Sequence, residues 1–225
     1  MDFNGPEPAD LVDVRSINTA FLEFLCGADG DPLRCELPAA LRPVVAALTG
    51  RQIERLAGVP FLLLTLNESD DTYWSRVRDE LPVGDLFAAS HSPSDPLGRI
   101  VVAALGFQWQ LARKNPYAAR LISGASLSWC EQLASCTLLR VLQCAVEYQG
   151  LIAPRQAAHK VLWARLLGAG LSSAEDLRRA AHLSALQIVL SPVISMSERR
   201  WRSAACYTSV PVLEVHGRRN VSEDD

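Results

Sequence analysis

The stretch LRPVVAALTGRQIERLAGVPFLLLTL, Leu41–Leu66, decides how the rest of the chain is read. Leu41, Val44, Val45 and Leu48 fall on one helical face, with Pro38 placed near that helix's start. Thr49 can cap a second helix whose apolar stripe is Ile53 and Leu56, and Gly50 follows the end of the first. The spacing predicts a helix-turn-helix-like hairpin over Leu41–Ala57. Gly58 and Pro60 break the pattern, and Phe61–Leu66 follows as a run of large apolar residues. That run reads as a strand or extended segment, or equally as a buried helical turn, because periodicity cannot arbitrate so short a piece.

A weaker copy returns at 127–152, LSWCEQLASCTLLRVLQCAVEYQGLI. It is preceded by NPYAARLISGA at 115–125, which shares a frame with NTAFLEFLCGA at 18–28: an Asn, an apolar helix, then Gly-Ala. In this alignment Leu41, Val44, Ala47, Ile53 and Leu56 fall on Leu127, Cys130, Leu133, Leu139 and Leu142. Leu62-Leu63 falls on Leu151-Ile152, Trp74 on Trp163, and the helix Leu97–Leu111 on Leu177–Leu190. The ordered series, more than any single match, predicts a duplication whose halves pack about a pseudo-twofold axis, as the subunits of a symmetric dimer do. The shared core is expected between Leu97–Leu111 and Leu177–Leu190.

The remaining pattern is helical. Leu11, Val14, Ile17, Phe21, Leu22 and Leu25 keep helical spacing up to Gly27, after a lead-in at 1–10 expected to be flexible. Asp70 or Asp71 can cap a helix over Thr72–Leu81. Pro82–Pro96, with its prolines and the polar SHSPSD at 90–95, reads as a linker. Leu97–Leu111 is apolar almost all round and is expected to be a buried central helix. Further helices are predicted over Tyr117–Ile122 (opened by Pro116, closed by Gly124), from Ser126, over Leu138–Tyr148, over Gln156–Leu167, and over Ala174–Leu190, capped by Ser172 or Ser173. The expected class is all-α: a lead-in 1–10, a first helical unit with linker 11–96, a second unit 97–192, and a C-terminal extension 193–225. That extension carries an Arg-rich segment, a strand-like Cys206–Val215 and a polar tail.

Composition limits the function. The 225 residues are 49% hydrophobic and 21% charged, ordinary for a globular chain, and the net charge is −3. There is no global basic field to attract nucleic acid or anionic lipid. All basic residues but Lys114 and Lys160 are arginines, which with abundant Ala and Leu reflects coding bias more than phosphate recognition. MDFNGPEPAD lacks the pattern of a secretory signal, and no run has the length of a membrane span, so a cytoplasmic protein is expected. The cysteines Cys26, Cys35, Cys130, Cys136, Cys144 and Cys206 form no Cys-x-x-Cys pair, and the four histidines are scattered, so neither metal nor cofactor is expected.

No catalytic set emerges. Ser126 and Ser128 lie outside any Gly-x-Ser-x-Gly, Gly168-Ala-Gly170 ends a helix instead of following a strand, and Asp70-Asp71 and Asp79-Glu80 read as solvated helix-end carboxylates. The candidate contact residues are basic. Arg199-Arg200-Trp201-Arg202 is the densest cluster, with an aromatic able to stack on a base or a protein surface. Arg51 and Arg55 lie one turn apart on the hairpin's second helix, where a recognition helix would present phosphate contacts. The competing reading is a solvated face or salt bridges to Glu54 and Glu198.

The first 70 residues resemble the flagellar transcriptional activator subunit FlhD. The likeness rests on Ile17-Asn18 leading the apolar Phe21, Leu22 and Leu25, then on Leu48-Thr49-x-x-Gln52-Ile53-x-Arg55-Leu56-Ala57 and the apolar run after it. It implies an all-helical fold of dimeric type, working with a second subunit at promoters, with Asn18, Thr49, Gln52, Ile53 and Leu56 as fold-determining positions. The expected function is a transcriptional regulator or co-regulator acting mainly through protein contacts, with DNA affinity of its own modest and salt-sensitive. The alternative is a non-DNA-binding adaptor or accessory protein of a type III secretion or flagellar system. An enzyme is not expected.

Overall fold

The computed structural model describes residues 5–70, 72–75, 96–147, 151–157 and 159–191. Helix dominates them, as the periodicity predicts. Helix α1 (Pro8–Cys26) buries Val14, Ile17, Asn18, Phe21, Leu22 and Leu25. It begins inside the stretch expected to be a flexible lead-in. Pro8 has no N–H to leave unsatisfied in the first turn, and Asp10 accepts from the Glu7 backbone N–H at 2.7 Å in a capping box. Gly27 ends the helix, and a 3₁₀ turn (Ala28–Gly30) leads into the short α2 (Asp31–Arg34).

Two helices occupy the opening stretch, α3 (Arg42–Ala46) and α4 (Gly50–Ala57), but each packs mainly on α1 and not on the other, so the expected hairpin is two short helices laid on a third. Thr49 caps α4 in a capping box with Gln52, whose Oε1 accepts from the Thr49 backbone N–H at 2.8 Å. Ile53, Leu56 and Ala57 of α4 are buried, and α4 packs on α1. The run Phe61–Leu66 is extended. Only Leu64–Thr65, here β1, is paired as strand, with Ala153–Pro154 (β2), antiparallel and in the register Leu64↔Pro154, Thr65↔Ala153. Phe61, Leu62, Leu63, Leu64 and Leu66 are all fully buried.

Side chains from distant elements hold this run in place. From α1, Asn18 Nδ2 donates to the Phe61 carbonyl at 2.9 Å, and its Oδ1 accepts from Leu63 N–H at 2.8 Å. The Leu62 N–H donates to the Ile122 carbonyl at 3.0 Å. Arg155, next to β2, donates through Nε to Leu62 O and through Nη2 to Leu64 O, both at 2.5 Å, and pairs with Glu68. A lone extended segment inside helices would leave its backbone groups orphaned, and these contacts are where they are satisfied.

Helix α5 (Pro96–Lys114) starts at the last residue of the expected linker; residues 76–95 lie outside the described residues, as does the end of the Thr72–Leu81 helix, of which 72–75 is helical. α5 packs on α1, α6 (Pro116–Ser123), α7 (Leu127–Ser135) and α8 (Leu138–Glu147). It is not apolar-buried all round: Val102, Phe107 and Trp109 are half-buried, and Gln108 is fully buried. Asn115 caps α6 through the Ala118 N–H, and Gly124 closes it at φ 67°. A side chain at Gly124 would also place its Cβ 2.6 Å from Val189 Cγ1. Ser126 caps α7.

Two expectations change beyond β2. The helix predicted from Gln156 starts later, as α9 (Lys160–Leu167) capped by His159, because Gln156 takes a left-handed conformation at φ 45°. The last described helix is α10 (Glu175–Leu190), which packs on α9 and the 3₁₀ turn Ala169–Leu171. The expected pairing of α5 with α10 as a shared core is therefore not the main packing of either helix. The core instead runs across the expected boundary at 96–97, since α5 lies against α1. Local features of the echo do recur. The two aligned apolar runs meet at β1–β2, and Asn67 (φ 55°) and Gln156 precede Trp74 and Trp163 by the same interval. Each indole donates to a carbonyl just after its strand, Asn67 O and Arg155 O. Asn18 and Asn115, also aligned, do different work: one bridges the core and the other caps a helix.

Among the described residues no helix is long and apolar enough to cross a membrane. Cys206–Val215 and the rest of the extension lie outside the described residues.

Candidate functional site

Three helices leave a cleft of about 570 Å³ between them. α1 contributes Leu11 and Arg15, α4 and the turn after it Glu54, Arg55, Gly58 and Pro60, and α10 Glu175, Arg178, Arg179, His182 and Leu183. Leu11 and Arg15 are one helical turn apart, as are Arg179 and Leu183, so each outer helix presents an apolar and a basic side chain together. Leu11 and Leu183 are exposed at 38% and 51%, so the cleft presents two aliphatic side chains to whatever enters it.

Electrostatics set this cleft apart on a chain of net negative charge. Four guanidinium groups line it against two carboxylates, and among the described residues no carboxylate lies within ion-pair distance of Arg15, Arg55, Arg178 or Arg179. Arg55 and Arg178 are anchored by backbone: Arg55 Nη1 donates to Leu171 O and Arg178 Nη1 to Ser172 O, each at 3.0 Å. Those bonds fix where the guanidinium groups sit without neutralising them. Arg15 and Arg179 are exposed.

His182 forms part of the wall. Its Nε2 lies 3.2 Å from the Gly170 carbonyl, and the residue is 7% exposed. Burial pushes the imidazole below its ordinary pKa, and the Arg178 charge pushes the same way, against carbonyl contacts at Gly170 and Gly58. A neutral ring there donates to one carbonyl and costs little to bury.

Of the residues singled out from sequence, Arg55 lines the cleft and Arg51 does not; Arg51 is exposed on α4. Of the competing readings for Arg55, the salt bridge to Glu54 is not formed, and the side chain bonds instead to Leu171 O. Arg199, Arg200, Trp201 and Arg202 lie outside the described residues. Sequence reasoning missed Arg15, Arg178, Arg179 and His182. The apolar–basic pairs one turn apart, Leu11–Arg15 and Arg179–Leu183, were the available signal, but only the fold brings them to one place.

Elsewhere the chemistry is quiet. Among the described residues no group of three or more His, Cys, Asp or Glu side chains is placed to hold a metal ion. Cys130 is buried, and desolvation pushes its thiol up to about 11. Compared with known proteins, the chain matches no protein-family model, no curated protein and no solved structure.

Proposed function

We propose that this chain is a cytoplasmic regulator or co-regulator of the FlhD-like type that acts by holding a protein partner, and that the cleft between α1, α4 and α10 is where it holds it. The observation that carries this reading is the combination of exposed Leu11 and Leu183 with four arginines that outnumber the two carboxylates of the cleft and form no ion pair among the described residues. Apolar residues ringed by fixed charge are the composition of a protein interface. The burial of Asn18, Ile53 and Leu56 and the Thr49–Gln52 capping box are in keeping with the fold-determining roles that the resemblance implies for those positions. In this reading the two helices of the opening stretch serve packing first. α4 turns Ile53 and Leu56 into the core and commits Arg55 to a backbone carbonyl, while Arg51 stays exposed outside the cleft.

Affinity capture from the native host with the wild-type chain and with Leu183→Asp tests the reading. One partner, identified by mass spectrometry and lost with Leu183→Asp, is the expected result. Capture of the same proteins by both would remove the cleft from the partner's site.

A further inference from the structure

We infer that the partner element received by the cleft is an acidic segment carrying aliphatic side chains, with its carboxylates on Arg15, Arg55 and Arg179 and an aliphatic group between Leu11 and Leu183. This rests on the reading of the cleft as a protein-contact site and specifies its ligand.

Charge complementarity carries the assignment. Arg55 is held by a backbone bond and forms no ion pair among the described residues, Arg15 and Arg179 project from the other two helices, and the four arginines outnumber Glu54 and Glu175 in the lining. A planar guanidinium matches a carboxylate in two parallel hydrogen bonds, and three of them lining one recess can engage a segment that carries more than one carboxylate. The apolar part of the lining is Leu11, Pro60 and Leu183. The one aromatic ring of the lining, His182, is 7% exposed and engaged with the Gly170 carbonyl, so the recess offers an aliphatic side chain more apolar surface to cover than it offers a nucleobase to stack on. Concavity also counts against a duplex, whose phosphates lie on a convex surface and meet protruding side chains.

α5 shows what a filled groove looks like in this chain. It lies tightly on α6, α7 and α8, burying Ile100, Val101, Ala104 and Leu105. α10 rests mainly on α9 and the 3₁₀ turn, and the space between it and α1 stays open as the cleft.

The test uses the full chain and a fluorescein-labelled peptide in which leucines are separated by aspartate and glutamate, followed by anisotropy at low and moderate salt. Control peptides keep the leucines with lysine spacers, or the acidic residues with alanine in place of leucine. Expected is binding of the acidic leucine peptide, weakened by about tenfold in Arg179→Glu and in Leu183→Asp and unchanged in Arg51→Glu, a tenfold step being the size of one charge-assisted contact. Equal binding of the lysine-spaced peptide overturns the inference, as does an equal loss in Arg51→Glu. Full displacement by inorganic pyrophosphate at the peptide's own concentration also overturns it, by making the cleft a small-anion site. Melting curves of the two cleft variants, both at exposed positions, confirm that the fold is intact. If cleft-dependent capture from the host persists while the acidic leucine peptide fails to bind, the ligand assignment falls and the partner reading stands. If the peptide binds and host capture does not depend on the cleft, the reverse holds.

Discussion

Arg155 and Glu68 form an ion pair at 2.9 Å with side chains only 6% and 8% exposed, joining the residue after β2 to the turn after β1. The pair is more than Coulombic. The same guanidinium donates to Leu62 O and Leu64 O, and Glu68 also accepts from Thr65 Oγ1, so both charges are embedded in hydrogen bonds. A buried pair satisfied in this way is costly to break from one side.

Arg155→Met should therefore destabilise the fold by about 3–5 kcal/mol, since it leaves Glu68 buried and uncompensated and two carbonyls orphaned. Urea unfolding measures it. A loss under 1 kcal/mol would mean that Glu68 reaches solvent without the arginine.

The neighbouring Gln156 offers the opposite sign. It holds φ 45°, and its buried Oε1 has no hydrogen-bond partner among the described residues. Gln156→Gly removes both penalties, and a gain of about 1 kcal/mol is expected, less the extra flexibility glycine gives the unfolded chain. Asn67, in the same conformation after β1, is a residue type that tolerates it, so Asn67→Gly should be close to neutral. Thermal melts of the two variants side by side decide the matter.

His182 predicts a pH dependence. Its pKa is lowered in the fold, so the unfolded chain binds the proton more readily and stability must fall as pH drops below the unfolded value of about 6.5, levelling once the folded ring is protonated. The charged groups sharing its cleft are Arg15, Arg55, Arg178 and Arg179, with Glu54 and Glu175 on the other side of the balance. In His182→Gln the part of the slope that lies below pH 6.5 should shrink; an unchanged slope would assign it to other groups.

The thiols should separate by burial. Cys35 is exposed, whereas Cys130 is buried with its pKa pushed up to about 11, and Cys144 is also buried. Because the thiolate is the reactive form, iodoacetamide should modify Cys35 in the native protein and reach Cys130 and Cys144 only on unfolding. Peptide mass spectrometry with and without denaturant reads this directly.

DNA binding gives a fifth expectation. On a mobility-shift titration the chain should show weak, non-specific retardation at low salt at most, abolished at moderate salt. A discrete shift that survives moderate salt and is lost in Arg51→Glu would restore the hairpin as a DNA reader.

What could be read from sequence was local. The Thr49 cap, the Asn115-Pro116 start of α6, the Gly124 stop and the Ser126 cap all depend on residues within one turn of each other, and each stands where the pattern placed it. Ambiguity over Phe61–Leu66 could not be resolved locally, because its hydrogen bonds come from Asn18, Ile122 and Arg155. Arg155 carried no sequence signal at all. It looked like any surface arginine until β2 placed it under the run. The cleft was hidden for the same reason, since its arginines come from three helices and only Arg55 drew notice.

The β1–β2 pairing also dictates when the chain can finish folding. During synthesis Phe61–Leu66 leaves the ribosome as a greasy edge, and neither the strand that zips against it nor the Arg155 clamp exists until about 90 further residues have been added. A chain truncated before β2 lacks both the pairing strand and the Arg155 clamp, and its apolar run is left as a sticky template for aggregation.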